Sequence, residues 1–296
     1  MKVLVTGASG FVGRHVCRRL LADGHEVTGM SRRPDGLPEG VSFRAADIST
    51  GEGLADAVDG QDAVIHLVGI IRETRSSSFD AVHISGTENV LAAMLATGPR
   101  RLLHMSALGA RRGAASGYQD SKGRAEQLVR ESGLDWTIMR PSLIFGPGDG
   151  FCAGTLRDLV RLPPVIPVVG DGSYPFRPVA IEDVVTAFST ALQLPATHGR
   201  SFDLVGPAEY TLRELLLLVR QQLGVRKPLV NIPLPLMHLG TRLFSLLPNP
   251  PVTRDELLML LQGSTSDPEP ARSTLGLQGI RLESQLAHIL AYAASA

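Results

Sequence analysis

Short apolar runs alternate with amphipathic segments along the first half of the chain. Six runs rich in apolar and β-branched residues predict strands, at residues 3–6, 26–30, 42–45, 63–68, 101–106 and 136–140. Four segments between them predict helices, at residues 12–22, 54–58, 79–97 and 118–132. This alternation predicts an α/β fold with a doubly wound parallel-sheet (Rossmann) domain, because near-continuous apolar strands need helices on both faces of the sheet.

The second half has a different pattern, with frequent prolines and two capping boxes. The boxes, at residues 211–214 and 253–256, mark the starts of two helices. We predict a Rossmann domain over residues 1–145 with a return segment near 176–195, and a smaller, mostly helical C-terminal lobe over 146–296. A small-molecule or hydrophobic ligand is expected in the cleft between these two parts.

Composition and charge argue against several classes of function. The 296 residues carry 29 basic and 29 acidic side chains, so no excess of positive charge matches nucleic-acid phosphates, and no nucleic-acid partner is expected. Cys17 and Cys152 have neither disulfide nor zinc-site spacing, and no metal is expected. The first strand starts at residue 2 and no apolar stretch reaches about 20 residues, so we expect no signal peptide, no transmembrane helix and a cytoplasmic location.

The most specific motif joins the first predicted strand to the first predicted helix. The segment TGASGFVG at residues 6–13 contains three glycines with separate tasks. Gly7 allows a tight turn, Gly10 lets backbone N–H groups approach a pyrophosphate, and Gly13 lets the helix pack closely on the strand. Because the helix N-terminus adds partial positive charge, the segment predicts that the first domain binds NAD(P).

The end of the second predicted strand bears on the choice of dinucleotide. An acid at this point usually binds the ribose hydroxyls of NAD, whereas an arginine accommodates the 2′-phosphate of NADP. Here the residues are Ser31, Arg32 and Arg33, so NADP(H) is predicted to be preferred over NAD(H). Asp47 and Ile48, after the third strand, are placed to meet the adenine, although Asp47 fits a turn or a helix cap equally well.

A tyrosine and a lysine four residues apart form the candidate catalytic pair. Tyr118 and Lys122 fall on one face of a predicted helix. A tyrosine hydroxyl with its ordinary pKa of about 10 transfers protons poorly at neutral pH, and a neighbouring ammonium lowers that pKa. The pair therefore predicts acid–base chemistry beside the dinucleotide.

Together these motifs resemble the extended or atypical branch of the short-chain dehydrogenase/reductase superfamily, the NAD-dependent epimerase/dehydratase-like proteins. Further matching stretches lie at residues 47–48, 66–69, 86–91, 140–147, 176–179 and 182–184. Residues 104–110 and 121–126 are most similar to bacterial relatives of the NAD(P)H-binding accessory subunit of respiratory complex I.

The resemblance implies a role for each motif. It implies that Tyr118 is the acid or base, that Lys122 binds the nicotinamide ribose and lowers the tyrosine pKa, and that residues 140–144 cover the nicotinamide. The residues expected to bind the cofactor are Gly7, Ser9, Gly10, Phe11, Val12, Gly13, Ser31, Arg32, Arg33, Asp47, Ile48, Leu67, Val68, Gly69, Tyr118, Lys122, Pro141 and Ile144.

The chain departs from the family pattern at two positions. The third catalytic group of the family is a serine or threonine after the strand that precedes the tyrosine helix. One alignment puts Ala107 there and Ser106 just before it, whereas a shift by one residue restores Ser106 as a catalytic candidate. Loss of that hydroxyl would lower the rate by about 10²–10³, as for one oxyanion-hole donor. His83 stands where many relatives carry asparagine.

Two functions from different classes follow from these observations. The first is an NADP(H)-dependent oxidoreductase or epimerase/dehydratase-type enzyme that uses Tyr118 and Lys122 on a carbonyl, alcohol or sugar-like substrate. The alternative is a non-catalytic protein that holds NADPH as an accessory or assembly factor of a membrane respiratory complex. The absence of a hydroxyl at Ala107 and the resemblance to a complex I subunit favour the alternative.

The segment at residues 229–247 is unusually apolar, but Pro233, Pro235, His238 and Arg242 interrupt it. One interpretation is a buried helix and loop that line the second lobe. The other is a patch that contacts a hydrophobic ligand, a membrane or a membrane complex. The second interpretation puts the protein at the periphery of the inner face of the membrane.

Overall fold

Strands and helices alternate along the first 141 residues in the predicted order. The computed structural model describes the chain over residues 1–162, 164–244 and 252–295. The elements of the first part are β1 Lys2–Thr6, α1 Phe11–Ala22, β2 Glu26–Ser31, β3 Ser42–Ala45, α2 Leu54–Val58, β4 Ala63–His66, α3 Gly86–Thr97, β5 Arg101–Met105, α4 Gly117–Glu131 and β6 Asp135–Pro141.

Shorter elements follow in the second part of the chain. They are β7 Ile144–Phe145, α5 Arg157–Arg161, β8 Ile166–Val169, β9 Pro175–Phe176, β10 Val179–Ala180, α6 Ile181–Gln193, β11 Arg200–Leu204, β12 Tyr210–Thr211, α7 Leu212–Gln222, β13 Leu229–Ile232, α8 Leu234–Phe244, α9 Arg254–Gln262, α10 Glu269–Leu275 and α11 Leu282–Ser295. Residues 245–247 of the predicted apolar segment lie outside the described residues.

A seven-stranded parallel sheet organises one unit of the chain, made of residues 1–141, 184–204 and 269–277. Its strand order is β3-β2-β1-β4-β5-β6-β11, and every pairing is parallel. Leu4, Val64 and Leu102 of the sheet pack with Leu91 of α3 and Val129 of α4. The predicted doubly wound Rossmann fold is confirmed. The order reverses between β1 and β4, and the loops after these two strands flank the crevice where this fold binds dinucleotides.

A second unit is formed by residues 142–183, 205–268 and 278–296. Three short strand pairs, β7–β10, β8–β13 and β9–β12, accompany helices that include α5, α7 and α11. Phe145, Leu156, Leu215 and Ile289 belong to its apolar core. Its helices agree with the mostly helical C-terminal lobe that the sequence predicts.

Both predicted capping boxes are present in the second unit. The Thr211 hydroxyl accepts the Glu214 backbone N–H at 3.2 Å, and the Glu214 carboxylate accepts the Thr211 backbone N–H at 2.7 Å. Thr253 and Glu256 form the same reciprocal pair at the start of α9. These caps satisfy backbone donors that the first turn of each helix leaves without a partner.

The structure differs from the sequence pattern in two places. The segment 79–97, predicted as one α-helix, contains a π-helical stretch at Asp80–Ser85 before α3 begins. The seventh strand of the sheet, β11, and the helix α10 that packs near it come from the second half of the chain. Neither was predicted to join the first unit, because such long-range pairings leave no local pattern in the sequence.

The described residues contain neither a helix suited to span a membrane nor a cluster of metal-binding side chains. None of the described helices combines the length and the hydrophobicity that crossing a bilayer requires. Within the same residues, no group of three or more His, Cys, Asp or Glu side chains could hold a metal ion.

Candidate active site

The glycine loop between β1 and α1 has the geometry that its sequence predicts. Gly7 has a left-handed backbone with φ of 71°, and its N–H donates to the Met30 carbonyl at 3.2 Å. A Cβ at Gly13 would lie 2.1 Å from the Gly7 carbonyl oxygen, so only glycine lets helix and strand approach this closely. Gly10 precedes α1, whose first turn contains no acid and has no side-chain cap. The N–H groups at the start of α1 are therefore available to an anion.

An arginine that the sequence analysis missed holds this loop. The Arg14 guanidinium donates to the Ser9 carbonyl at 2.8 Å, across the turn that joins β1 to α1. A cation in the first turn of a helix is unfavourable with respect to the helix dipole. This unusual placement is the sequence feature from which a special role of Arg14 could have been predicted. Arg14 fixes the loop and adds positive charge beside the helix N-terminus.

A cavity of about 190 Å³ opens next to the glycine loop, at the reversal of strand order. It is lined by Gly7, Met30, Ser31, Arg32, Ala46, Asp47, Ile48, Ser49, Val68, Ile70, Ser77 and Val82. Six of these are predicted cofactor residues, Gly7, Ser31, Arg32, Asp47, Ile48 and Val68. The remaining lining residues come from the same strand ends and from the segment before α3. The structure therefore brings together the residues predicted for the adenine and ribose end of the cofactor.

The other predicted cofactor residues lie at several places. Phe11 and Val12 start α1, Leu67 and Gly69 follow β4, and Pro141 ends β6. Ile144 lies in the second unit, where β7 pairs it with Val179. The Ser31 hydroxyl donates a hydrogen bond to the Arg33 backbone carbonyl, and the Arg33 side chain is not part of the cavity lining. Asp47 accepts the Ser49 backbone N–H at 2.8 Å, so it serves a turn while it also lines the cavity.

These features fit a dinucleotide. A left-handed glycine turn, an uncapped helix N-terminus and a cavity between the ends of β1, β2 and β4 are the parts that hold a pyrophosphate and a ribose in this fold. Arg14, which is hydrogen-bonded to the loop, and Arg32, which lines the cavity, supply cations near a bound phosphate. The chemistry of these donors matches phosphate groups.

Lys122 is buried under the loop that follows β4. Its ammonium donates to the Met105 carbonyl at 3.0 Å. A Cβ at Gly69 would lie 2.9 Å from the Lys122 Nζ, so the glycine leaves the room that the lysine needs. Burial lowers the pKa of Lys122 to about 8, although the Glu126 carboxylate opposes this shift. The side chain is thus still protonated at neutral pH.

Tyr118 lies one turn before Lys122 on α4 and packs edge-on against two rings. Its ring centroid is 5.9 Å from that of Phe79 and 5.6 Å from that of His83. Burial raises the pKa of Tyr118 to about 12. The predicted lowering of this pKa by Lys122 is therefore wrong, because desolvation dominates and the lysine ammonium is directed at the Met105 carbonyl. At neutral pH the Tyr118 hydroxyl is protonated and can act as a proton donor.

His83 links the loop after β4 to the helix that carries Tyr118. The Ile70 backbone N–H donates to His83 Nε2 at 3.1 Å, so the proton of the neutral ring is on Nδ1. Nδ1 then donates to the Ser121 hydroxyl at 2.8 Å, and that hydroxyl donates to the Tyr118 carbonyl at 2.9 Å. From the sequence, His83 was expected only to differ from the family pattern, and Ser121 was not predicted; its spacing of three residues from Tyr118 is the signal that could have indicated it.

A second hydrogen-bonded chain runs from β1 to the same histidine. The Thr6 hydroxyl accepts the Leu67 backbone N–H at 3.2 Å and lies 2.7 Å from His66 Nδ1. The Thr87 hydroxyl donates to the His83 carbonyl at 2.6 Å and lies 3.4 Å from His66 Nε2. One arrangement of protons satisfies all four contacts, with His66 protonated on Nε2. The strand before the glycine loop is thus connected to the turn that positions His83.

Three buried histidines surround Lys122 without adding charge. Burial and the Lys122 ammonium lower the pKa of His66 to about 3 and that of His83 to about 2, and burial puts the pKa of His104 well below its usual range. The His66 and His104 rings lie 5.3 Å apart. Neither ring nitrogen of His104 reaches a hydrogen-bond partner in the described part of the chain. All three imidazoles are therefore neutral at physiological pH.

The Ser106 hydroxyl lies close to the Glu126 carboxylate, whereas a catalytic serine would contact the substrate oxygen. The Ser106 hydroxyl is buried and meets no partner at normal hydrogen-bond geometry among the described residues. Burial raises the pKa of Glu126, but hydrogen bonding from Arg140, helped by the close approach of Ser106, lowers it below its usual range. Glu126 lies one turn beyond Lys122 on α4, on the side away from Tyr118 along the helix. Ala107, the aligned alternative, has no hydroxyl.

Comparison with known proteins gives the family background of this site. A family model described as NAD(P)H-binding matches residues 7–151. The chain is 30% identical over 237 residues to a ceramide reductase of Caulobacter vibrioides, covering 79% of this chain and 74% of that protein. It is 28% identical over 237 residues to the 40 kDa subunit of NADH-ubiquinone oxidoreductase of Neurospora crassa, covering 77% of this chain and 62% of that protein.

Other matches differ in length or extend over the whole fold. An uncharacterized protein of Mycobacterium tuberculosis is 34% identical over 216 residues, which are 73% of this chain but only 23% of that protein. The solved UDP-glucose 4-epimerase of Thermotoga maritima has a TM-score of 0.76 at 22% identity, with 100% of this chain and 99% of that chain covered. At this identity the likeness concerns the fold.

Proposed function

The chain belongs to the extended short-chain dehydrogenase/reductase family, and from this membership we propose that it is an NADPH-dependent reductase of a carbonyl group on an apolar substrate. A bound nicotinamide supplies hydride to the carbonyl carbon. The chain itself has to hold the cofactor, orient the carbonyl and deliver a proton to the carbonyl oxygen. The single observation that carries the proposal is the buried Lys122 one helix turn from a Tyr118 that stays protonated at neutral pH.

The protonated state of Tyr118 is the state that carbonyl reduction uses. Reduction needs a hydroxyl that gives its proton to the developing alkoxide, and Tyr118 with a raised pKa carries that proton at neutral pH. Oxidation needs a phenolate, which burial disfavours. The Lys122 ammonium, protonated below its pKa of about 8, lies one helix turn from Tyr118 and is proposed to bind the hydroxyls of the nicotinamide ribose. His83 and Ser121 set the position of this helix turn.

An apolar substrate is suggested by a relative and by the chemistry of the site. The Caulobacter relative is named as a reductase of ceramide, a lipid. Ile71, in the loop that follows β4, is 61% exposed and offers an apolar side chain outside the cofactor cavity. We extend the substrate class of that relative to this chain as a carbonyl on a long-chain lipid.

The reductase proposal is tested by NADPH oxidation with matched ketones. The purified full chain is mixed with NADPH and either a long-chain or a short-chain ketone of the same head group, and NADPH absorbance is followed. We expect oxidation with the long-chain ketone and a kcat/KM at least about tenfold above that of the short homologue. Equal turnover of both ketones would contradict the apolar substrate, while tight NADPH binding without turnover would contradict the reductase.

A second candidate function is a cofactor-holding accessory subunit. It is favoured by the Ser106 hydroxyl, which approaches Glu126, and by the similarity to a subunit of NADH-ubiquinone oxidoreductase. Without a serine or threonine at the oxyanion, the same fold would bind NADPH and turn it over slowly. Binding without turnover across a broad ketone panel is the result that this candidate predicts.

NADPH is proposed over NADH because Arg32 lines the cavity. Replacing Arg32 by alanine is expected to raise the Kd for NADPH about tenfold and to leave the Kd for NADH within about threefold, because a partly exposed guanidinium–phosphate contact is lost. Fluorescence titration with both nucleotides measures the two constants. Arg33→Ala is the matched control, since Arg33 is outside the cavity lining. Equal losses for both nucleotides would contradict the preference, whereas a larger effect of Arg33→Ala would assign the phosphate contact to Arg33 instead of Arg32.

A further inference from the structure

The apolar segment of the second unit presents leucines to the outside. Leu236, Leu239 and Leu243 of α8 are 58%, 53% and 59% exposed. With about 100° between successive residues, they fall within a sector of about 60° on one side of the helix. Thr241, on the other side, is buried. The interpretation of this segment as buried is therefore wrong for the leucines of α8, which form an outward apolar face.

Exposed apolar side chains continue beyond α8. Val230 of β13 is 40% exposed, three residues before the turn that leads into α8. Leu162, just after α5, is 48% exposed. The Lys227 ammonium donates to the Arg161 carbonyl at 2.7 Å, which ties the end of α5 to the start of β13. We call the outward side of α8, formed by Leu236, Leu239 and Leu243, the leucine face.

The stretch of sequence that contains α8 is rich in basic residues although the whole protein is neutral. Residues 215–254 contain five Lys or Arg and no Asp or Glu, in a chain with 29 of each sign. The five are Arg220, Arg226, Lys227, Arg242 and Arg254. Arg242 lies about 60° around α8 from Leu239, at the border of the leucines. The next stretch, 245–251, contains no charged residue.

We infer that the leucine face binds the surface of an anionic lipid bilayer. The leucines enter the boundary between head groups and acyl chains, while the surrounding arginines and lysine contact lipid phosphates. An exposed apolar helix face with basic residues close by in the chain is the combination that interfacial helices use. A second copy of the chain is the less suitable occupant, because a twofold contact through this face would bring the basic segments of two copies together. The binding does not depend on the proposed reaction.

The test is flotation of the full chain with lipid vesicles. Vesicles of phosphatidylcholine alone are compared with vesicles that contain about one third phosphatidylglycerol. We expect the protein to float with the anionic vesicles, and the bound fraction to fall at least about tenfold in Leu239→Glu and in Leu236→Glu. Leu95→Glu is the matched control, because Leu95 is 57% exposed on α3 of the first unit, and it should bind like the unmodified chain.

Several outcomes would overturn the inference. Failure of the unmodified chain to float with anionic vesicles would do so, as would equal flotation with phosphatidylcholine alone. Loss of binding in Leu95→Glu to the same extent as in Leu239→Glu would show a general effect of added charge. A concentration-dependent dimer that Leu239→Glu dissociates, without flotation, would assign the face to a second copy of the chain.

Discussion

Replacing Tyr118 by phenylalanine is expected to lower kcat for carbonyl reduction by about a thousandfold. The ring stays in place between Phe79 and His83, so only the proton donor is removed. A positioned general acid contributes about 10²–10⁴ to the rate, which sets the size of the loss. The Kd for NADPH should stay within about threefold, because the glycine loop, Arg32 and Lys122 remain. Steady-state kinetics and a separate fluorescence titration of NADPH give the two quantities.

The control for this variant is Tyr292→Phe. Tyr292 lies on α11 and is 48% exposed, so loss of its hydroxyl should leave kcat unchanged. A fall in kcat of less than about tenfold in Tyr118→Phe would remove the tyrosine from the role of proton donor. A large rise in the Kd for NADPH with little change in kcat would instead make Tyr118 a binding residue, and it would favour the accessory-subunit function.

Most of the first unit could be predicted because its signals are local. Apolar runs of four to six residues become strands β1 to β6, and a glycine loop directly after the first of them sets the start of α1. The three glycines at 7, 10 and 13 act through backbone conformation and close approach, which depend on the absence of a side chain and can be recognised from the residue type. The same holds for the two capping boxes.

The pKa of Tyr118 could not be predicted from spacing alone. Residues four apart lie on the same face of a helix. The distance between the Tyr118 hydroxyl and the Lys122 ammonium nevertheless depends on the conformation of each side chain. Lys122 ends at the Met105 carbonyl, below Gly69, and Tyr118 ends between two rings. The hydrogen bonds of His83 could not be predicted for a similar reason. The π-helical stretch that carries this histidine interrupts the regular helix predicted for 79–97.

Contacts between residues that are far apart in the sequence explain the other features that were not predicted. β11 joins the sheet beside β6, some 60 residues earlier in the chain, by pairing such as Phe202 with Met139. The exposure of Leu236, Leu239 and Leu243 also depends on distant packing, since hydrophobic composition alone describes a buried and an exposed helix equally well. A sequence pattern indicates that a helix has an apolar face but not what covers that face.

Acidification from about pH 7.5 to about pH 5.5 is expected to lower the free energy of unfolding by about 4 kcal/mol, through His66, His83 and His104. These imidazoles are buried and neutral, with pKa values of about 3 and about 2 for the first two and well below the usual range for the third. In the unfolded chain each returns to an ordinary pKa near 6.5. Unfolding therefore takes up protons below that pH. Their contribution is complete above about pH 6.5 and is lost as the pH falls, at about 1.3 kcal/mol per histidine over this interval.

Chemical denaturation at the two pH values, with matched variants, isolates this effect. His104→Leu should reduce the difference between the two free energies by about a third, because one of three proton-binding sites of the unfolded chain is gone and no buried hydrogen bond of this ring is broken among the described residues. His288→Gln is the control, since His288 is exposed and should leave the difference unchanged. If the unmodified chain were equally stable at both pH values, the buried imidazoles would have to be charged in the folded protein. The neutral histidine cluster around Lys122, and the proton positions assigned to His66 and His83, would then be wrong.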